Sequence, residues 1–390
     1  MTAIFSKVST PAINVSRAYT MNASVAPHPR NHTPKTGMKF AVIKAISPFV
    51  RFRLNMFIKT WKLFAAKILN FGCNKLSLSL MSKYTLVIHG GAGTILKEDM
   101  SGELEAAYLK GLAHALNTGF ALLEKGAPAL DGVKAAVMSL EDNILFNAGK
   151  GSVFAKDGSQ EMDASIMDGK TLMAGSISAV RNIRNPVELA YAVMAQSPHV
   201  MLNGQGAYDF AMLHGIKTAP DDYFFSQFRY DQWKQMQVSG KTALDHNVVI
   251  KDKKFGTVGA VALDVNGNIA AATSTGGMTN KQYGRVGDSS IIGAGTYANN
   301  KTCAISCTGH GEPFIRAVAA YDVSCLMEYK GLSLHEAINL VVNEKLLQMD
   351  GEGGMVGVDA QGNAAMIFNS AGMYRGFRSS DGMSEVAIYK

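Results

Sequence analysis

Residues 254–277 read KFGTVGAVALDVNGNIAAATSTGG, and this stretch predicts two paired strands joined by a tight turn. Small and β-branched residues lie on both sides of Asn266-Gly267, and these two residue types tolerate the positive φ angles that a hairpin turn requires. Thr257 therefore opens the first strand. The preceding segment, residues 242–254, is polar and rich in Lys and Asp, which is typical of an exposed connection. A threonine thus stands where a loop meets a buried strand.

This position suits a nucleophile that is made by cutting the chain. If the peptide bond after Gly256 is broken, Thr257 gains a free α-amine beside its hydroxyl, and that amine can act as the general base. Gly256 is compatible with such a cut because a residue without a Cβ lets a hydroxyl approach its carbonyl closely. A Gly-Thr pair also begins many ordinary strands, so this interpretation depends on the rest of the sequence.

The basic charge of the protein is confined to its first 80 residues. The 390 residues include 38 Lys and Arg against 31 Asp and Glu, a net charge of +7. Residues 1–80 hold 12 of the basic residues without a single acid, so the remainder is slightly acidic. Nucleic-acid binding by the protein as a whole is therefore not expected.

The four cysteines lack metal-ligand spacing, and we expect free thiols in a reducing compartment, the cytoplasm.

The leader, residues 1–80, admits three interpretations. Its first 48 residues are rich in Pro and polar residues and predict disorder, whereas residues 49–71 alternate basic and apolar side chains as an amphipathic surface helix does. The leader could direct the protein to an organelle, or it could bind a membrane surface. It could also reflect the choice of an upstream start codon, since Met81 stands directly before the first strand. Membrane contact is expected only if the leader is functional.

Beyond the leader, the pattern predicts strands that come as hairpins and helices that come as adjacent pairs. This order favours an α+β fold of antiparallel sheets covered by helix layers over a parallel βαβ fold. The predicted hairpins lie at 164–180, 257–275, around Cys303, and at 354–368. The predicted helices span 103–125, 130–142, 186–195, 207–214, 314–329 and 334–347.

Several residues after Thr257 have the chemistry that a threonine nucleophile needs. Thr275, at the far end of the paired strand, could hydrogen-bond the amine or hydroxyl of Thr257. Arg285 and Asp288 stand three apart in a glycine-flanked loop. A guanidinium suits a carboxylate and an aspartate suits an ammonium, so together they could hold the head group of an α-amino acid. The alternative is a mutual salt bridge between the two.

The segment Thr308-Gly309-His310-Gly311-Glu312 ends a predicted strand before a helix. Its backbone N–H groups and the Thr308 hydroxyl could therefore stabilise an oxyanion. His310 is interpreted as a loop residue rather than a base, because the α-amine fills that role.

From Met81 to the C-terminus the sequence resembles the plant-type asparaginase and isoaspartyl peptidase family of threonine N-terminal nucleophile (Ntn) hydrolases. The resemblance lies in seven stretches, HGGAG (89–93), FNAGKGS (146–152), MDASIMDG (162–169), GTVGAVALD (256–264), TSTGG (273–277), GRVGDS (284–289) and GAGTYA (293–298). It implies a four-layer αββα sandwich, made as an inactive precursor that cleaves itself between Gly256 and Thr257. Residues 81–256 and 257–390 would then be the α and β subunits of one domain, and two such pairs would form a dimer of heterodimers.

The resemblance also implies a role for each matching residue. Thr257 would be the nucleophile, Thr275 its support, and Thr308 with Gly309 the oxyanion hole. The substrate would be bound by Arg285, Val286, Gly287, Asp288, Thr308, Gly309, His310, Gly311 and Asn147. His310 stands where relatives more often carry Thr, which could alter the pocket.

No catalytic cofactor is implied by the resemblance. A structural sodium ion is, held by backbone carbonyls, because hard oxygen ligands suit such a cation. Its expected ligands are the carbonyls of Leu140, Glu141, Asn143, Phe146, Ala148 and Lys150.

The implied activity is hydrolysis of β-aspartyl dipeptides and of the side-chain amide of L-asparagine, through a β-aspartyl ester on Thr257. One alternative is a glycosylasparaginase, which shares the fold; its nucleophile normally follows Asp, so Gly256 argues against it. The other is an unprocessed, non-catalytic protein that docks on a membrane surface through residues 49–71.

Overall fold

The computed structural model describes residues 83–239 and 256–390. The expectations for residues 1–80 and for the connection at 242–254 lie outside these described residues. The strands are β1 (Thr85–Gly93), β2 (Met162–Asp168), β3 (Ala174–Val180), β4 (Met201–Asn203), β5 (Val258–Leu263), β6 (Ile269–Thr275), β7 (Thr296–Ala298), β8 (Cys303–Gly309), β9 (Gly353–Asp359), β10 (Ala364–Phe368), β11 (Gly372–Ser379) and β12 (Ser384–Tyr389).

The α-helices fall in the connections between these strands. They are α1 (Gly102–Glu124), α2 (Ala129–Glu141), α3 (Pro186–Gln196), α4 (Gly204–Leu213), α5 (Asp221–Phe224), α6 (Gln227–Ser239), α7 (Gly311–Ala317), α8 (Ala319–Lys330) and α9 (Leu334–Leu340). Helix α1 begins at the N-cap Ser101, whose hydroxyl accepts from Leu104 N–H at 3.2 Å. None of the helices within the described ranges combines the length and the apolar character needed to cross a bilayer.

The strands form two sheets. The larger has the order β12-β11-β1-β5-β6-β2-β3-β4, and the smaller has the order β10-β9-β8-β7. Strand β5 lies between β1 and β6, and β6 pairs in turn with β2. The stretch that begins at Thr257 is therefore inserted into the middle of a sheet whose other strands come from both ends of the described chain.

The side chains of β5 show why the sheets stack. Successive side chains of a strand point to opposite faces. Val258, Ala260 and Ala262 belong to the core under α1 and α2, while Val261 and Leu263 pack with residues of the smaller sheet. Both faces of β5 are thus buried, as its unbroken run of small and apolar residues requires.

Helix layers cover the outer faces of both sheets. Helices α1, α2 and α3 pack on the larger sheet through one apolar core. Helices α8 and α9 cover the smaller sheet through another core, which includes Cys303, Ile305 and Met355. The order helix, sheet, sheet, helix confirms the predicted αββα sandwich.

Three features differ from the sequence-based expectations. Strand β4 pairs with β3 in parallel, so the larger sheet is mixed at that edge rather than purely antiparallel. The predicted helix 314–329 is broken at Val318, which has φ 50° and ψ 48° and separates α7 from α8. Strands β11 and β12 were not predicted, because β11 is specified by pairing with β1, far away in sequence.

Candidate active site

Thr257 and Thr275 meet at one end of the β5–β6 hairpin. Val258 pairs with Ser274, so the next residues outward, Thr257 and Thr275, lie side by side. Thr257 Oγ1 is 3.2 Å from Thr275 Oγ1, which is 3.0 Å from the carbonyl oxygen of Gly256. A carbonyl only accepts, so the Thr275 hydroxyl donates to Gly256 and accepts from Thr257. The peptide bond before Thr257 is thereby polarised by a neighbouring hydroxyl.

Asn147 packs against Gly256. A Cβ built on Gly256 would lie 2.5 Å from the Asn147 Cβ, so this approach requires glycine. The Asn147 amide donates to Gly277 O at 2.8 Å and accepts from Val153 N–H at 3.0 Å. Gly277 N–H in turn donates to Thr275 Oγ1 at 3.0 Å. Asn147 therefore orients the backbone next to Thr275.

Arg285 is paired, but not with Asp288. Its Nε and Nη2 donate to the two carboxylate oxygens of Glu312 at 3.0 and 2.9 Å, a bidentate ion pair. His310 Nε2 lies 3.2 Å from the same carboxylate. Burial opposes ionisation of Glu312, but the bonds from His310 and Arg285 outweigh it and hold its pKa below the usual range. The sequence analysis gave Glu312 no role. The only feature of the sequence that could have pointed to it is its position directly after Gly311, next to the predicted oxyanion segment.

Asp288 is a buried acid with one carboxylate oxygen unsatisfied. The residue is 4% exposed, and its Oδ2 has no hydrogen-bond partner among the described residues. Burial raises the pKa of Asp288 to about 7, against the opposing effect of the Arg285 charge. A buried, unsatisfied carboxylate is costly unless a cation comes to it. The site is therefore suited to an ammonium group.

One cavity brings most of these groups together. It is a narrow space of about 10 Å³, enough for one water molecule, and is lined by Gly256, Thr257, Thr275, Gly277, Met278, Arg285, Gly287, Asp288, Ser289 and Gly309. Thr257 is 6% exposed at its wall. A hydroxyl, a guanidinium and a carboxylate thus line one space.

The other predicted site residues lie around this cavity without lining it. Thr308 is fully buried, and its hydroxyl accepts from Ala92 N–H at 3.1 Å, which leaves its own proton for donation. A Cβ on Gly311 would lie 2.9 Å from Asp288 Oδ1 and 3.0 Å from Arg285 Nη2, so glycine keeps this space open. Val286 is half-buried between Arg285 and Asp288.

The loop predicted to hold sodium follows α2. A Cβ on Gly149 would lie 2.5 Å from Glu141 O, and one on Gly151 would overlap the carbonyl oxygens of Phe146 and Ile144. Backbone carbonyl oxygens of this loop therefore lie close to Gly149 and Gly151, where a side chain would not fit. Within residues 83–239 and 256–390, no group of three His, Cys, Asp or Glu side chains could hold a metal ion.

Comparison with known proteins agrees with this geometry. The family model described as asparaginase matches residues 82–388. The chain is 50% identical over 312 residues to the isoaspartyl peptidase of Escherichia coli K12, covering 80% of this chain and 97% of that relative. It is 46% identical over 345 residues to a putative isoaspartyl peptidase/L-asparaginase of Dictyostelium discoideum, covering 79% and 99%. The chain belongs to the asparaginase family and is a hydrolase of that family.

Proposed function

We propose that the protein is an isoaspartyl peptidase and L-asparaginase whose nucleophile is Thr257, released by cleavage of the Gly256-Thr257 bond. The observation that carries this proposal is the cavity in which the Thr257 hydroxyl, the Thr275 hydroxyl, Arg285 and Asp288 face one another. The relatives named for these two activities support the choice of substrate.

Self-cleavage would begin with attack of Thr257 Oγ1 on the Gly256 carbonyl carbon. The Thr275 hydroxyl, 3.0 Å from the Gly256 oxygen, would stabilise the negative charge that develops there. The C–N bond breaks, the hydroxyl proton passes to the departing nitrogen, and an ester remains that water hydrolyses. Residues 81–256 and 257–390 would stay together as α and β subunits, because β5 is hydrogen-bonded between β1 and β6.

In turnover, the new α-amine would take the hydroxyl proton as Oγ1 attacks the side-chain carbonyl of the substrate. Gly309 N–H and the Thr308 hydroxyl would stabilise the oxyanion, and ammonia or a peptide amine would leave. Water then releases aspartate from the ester. Glu312 engages Nε and Nη2 of Arg285, so we assign Nη1 to the substrate α-carboxylate and Asp288 to its α-ammonium.

The proposal is tested by denaturing electrophoresis and N-terminal sequencing of the purified protein, followed by kinetics with L-asparagine and β-Asp-Leu. We expect two fragments, the smaller beginning at Thr257, and hydrolysis of both substrates. Hydrolysis of β-aspartyl substrates by a polypeptide that is continuous through residue 256 would contradict the mechanism. The ratio of the two kcat/KM values then assigns the preferred leaving group.

Replacing Thr275 with valine is expected to slow both self-cleavage and turnover by about 5–30-fold. Valine keeps the volume but removes the hydroxyl that contacts Thr257 and Gly256, and one hydrogen bond to a reacting group is worth roughly 1–2 kcal/mol. The Thr275→Ser variant keeps the hydroxyl and should remain within about threefold of the parent. Equal rates in the two variants would show that the hydroxyl has no role.

The carbonyls of Leu140, Glu141, Asn143, Phe146, Ala148 and Lys150 are proposed to hold a structural sodium ion. The fold of this loop over Gly149 and Gly151 supports the assignment. A ligand that binds only the folded state stabilises it, so the melting temperature should fall by a few degrees when sodium chloride is replaced by choline chloride. An unchanged melting temperature would remove the sodium from the proposal.

Association into a dimer of heterodimers is also proposed. Four large apolar side chains are exposed in the turn between β2 and β3 and at the start of the edge strand β4: Leu172, Met173, Val200 and Met201. Light scattering after size exclusion should give twice the mass of one αβ pair.

The proposed compartment is the cytoplasm. Its support is that three cysteines are free thiols, namely Cys303, Cys307 and Cys325.

A further inference from the structure

A fully buried histidine contacts the main chain of the proposed nucleophile. His89 lies on β1, opposite Gly259 of β5, and none of its surface is exposed. Its Nδ1 is 2.9 Å from the carbonyl oxygen of Thr257, and its Nε2 is 2.8 Å from Ser306 Oγ on β8. The ring therefore bridges the two sheets directly behind Thr257.

The partners of the ring assign its tautomer. The Thr257 carbonyl only accepts, so Nδ1 carries the proton and donates. Burial lowers the pKa of His89 to about 3, although the bond to Thr257 opposes this, so the ring is neutral. Nε2 is then an acceptor, and the Ser306 hydroxyl donates to it. Moving the single N–H proton from Nδ1 to Nε2 would place the Nδ1 lone pair against the Thr257 carbonyl oxygen.

A line of buried hydroxyls leads away from the bond between Ser306 and His89, and its direction follows from the tautomer of His89. Ser306 Oγ is 2.7 Å from Thr273 Oγ1, which is 2.5 Å from Thr296 Oγ1. Thr296 Oγ1 is 2.7 Å from Ser165 Oγ. Because Ser306 donates to His89, it accepts from Thr273, and Thr273 accepts from Thr296. Each hydroxyl has one proton, so Thr296, Thr273 and Ser306 donate in turn towards His89, while the Ser165 hydroxyl donates to the Ser289 carbonyl at 2.6 Å.

The backbone of β5 makes room for this arrangement. A Cβ on Gly259 would overlap both Ser306 Oγ and His89 Nε2. Glycine in the interior of a strand weakens the strand and often marks a close approach by another group. Here that group is the His89–Ser306 pair.

We propose that His89, aligned by Ser306, is a positioning residue that holds the carbonyl of Thr257 and thereby the angle at which its hydroxyl faces the substrate. The proposal rests on the proposed role of Thr257 as nucleophile. Strand β5 begins at Val258, so after cleavage Thr257 is a chain end just beyond the strand. A free end needs a restraint, since a displacement of about 1 Å in a reacting group can cost about 10²-fold in rate.

Two substitutions separate positioning from packing. In His89→Asn the side-chain amide occupies the place of Nδ1 and still donates to the Thr257 carbonyl. In His89→Gln the amide occupies the place of Nε2, which keeps the Ser306 partner and loses the bond to Thr257. Positioning predicts a kcat about 10–30-fold lower for His89→Gln, a kcat within about threefold of the parent for His89→Asn, and KM changes below about threefold in both. A packing role predicts the opposite order, because Gln is closer to His in volume.

The measurement is kcat and KM for β-Asp-Leu on cleaved protein, or the self-cleavage rate where a variant matures slowly. Equal losses in the two variants, or a loss confined to KM, would overturn the proposal.

If His89→Gln fails to fold, Ser306→Ala replaces it, with an expected loss in kcat of about threefold to tenfold. Its matched control is Ser324→Ala, which removes an equally buried hydroxyl on α8 that bonds to Thr302 at 2.6 Å, and which should leave kcat within about twofold. Equal kcat in these two variants would also overturn the proposal. An inactive, uncleaved parent protein would instead refute the role of Thr257.

Discussion

The Thr257→Ala variant is expected to remain a single polypeptide and to lose at least about 10⁴-fold in activity on L-asparagine and β-Asp-Leu. Alanine removes the hydroxyl that would attack the Gly256 carbonyl in maturation and the substrate carbonyl in turnover. The contact with Thr275 Oγ1 at 3.2 Å is lost as well. The fold should persist, since Val258 and the residues after it keep their places in the sheet.

The control for this prediction is Thr257→Ser, which keeps both the hydroxyl and, after cleavage, the α-amine. It should mature to two fragments and retain measurable turnover, reduced by the freer rotation of a side chain without the γ-methyl group. Two fragments from Thr257→Ala would show that another group cuts the chain. Substantial activity in uncleaved Thr257→Ala protein would remove the nucleophile from the proposed mechanism.

The sequence predicted this part of the site because the information is local. Asn266-Gly267 sets the turn, the turn sets the register, and the register places Thr257 beside Thr275. The hairpins at 164–180 and 354–368 are predicted for the same reason. Such hairpins, with helices that have one apolar face, predicted antiparallel sheets covered by helix layers, and the family resemblance implied the αββα order, which the structure confirms.

The parts that were not predicted depend on distant residues. Arg285 pairs with Glu312 rather than Asp288 because the strand β8 and the start of α7 bring that carboxylate to the loop. Strand β11 exists because β1 offers it an edge. The break at Val318 places a β-branched residue at positive φ, which local propensity disfavours. The contact of His89 with Ser306 likewise requires two sheets to be stacked before it can form.

The Asp288→Asn variant is expected to lose about 10²–10³-fold in kcat/KM on both substrates. The amide has almost the same shape, but it cannot neutralise the substrate α-ammonium, and removing one partner of a buried charge pair costs roughly 3–4 kcal/mol. The control is Asp322→Asn on α8, whose carboxylate is 2.6 Å from Lys345 outside the cavity. That variant should stay within about twofold of the parent.

The same Asp288→Asn substitution should make the ligand-free protein more stable at pH 8. The pKa of Asp288 is raised to about 7, chiefly by burial. The Arg285 charge opposes this rise, and the charges of Glu312 and Asp163 add to it. The folded state therefore binds a proton more tightly than the unfolded state. The free energy of unfolding of the parent consequently falls as pH rises from about 4 through 7, where Asp288 must ionise in its buried position. The amide of the variant does not ionise, and the variant's melting temperature should exceed that of the parent by a few degrees at pH 8 and converge with it near pH 4. Greater stability with lower kcat/KM is the result expected of a carboxylate kept in the pocket for a cationic ligand. A variant that is destabilised at pH 8 would show that the Asp288 carboxylate supports the fold instead.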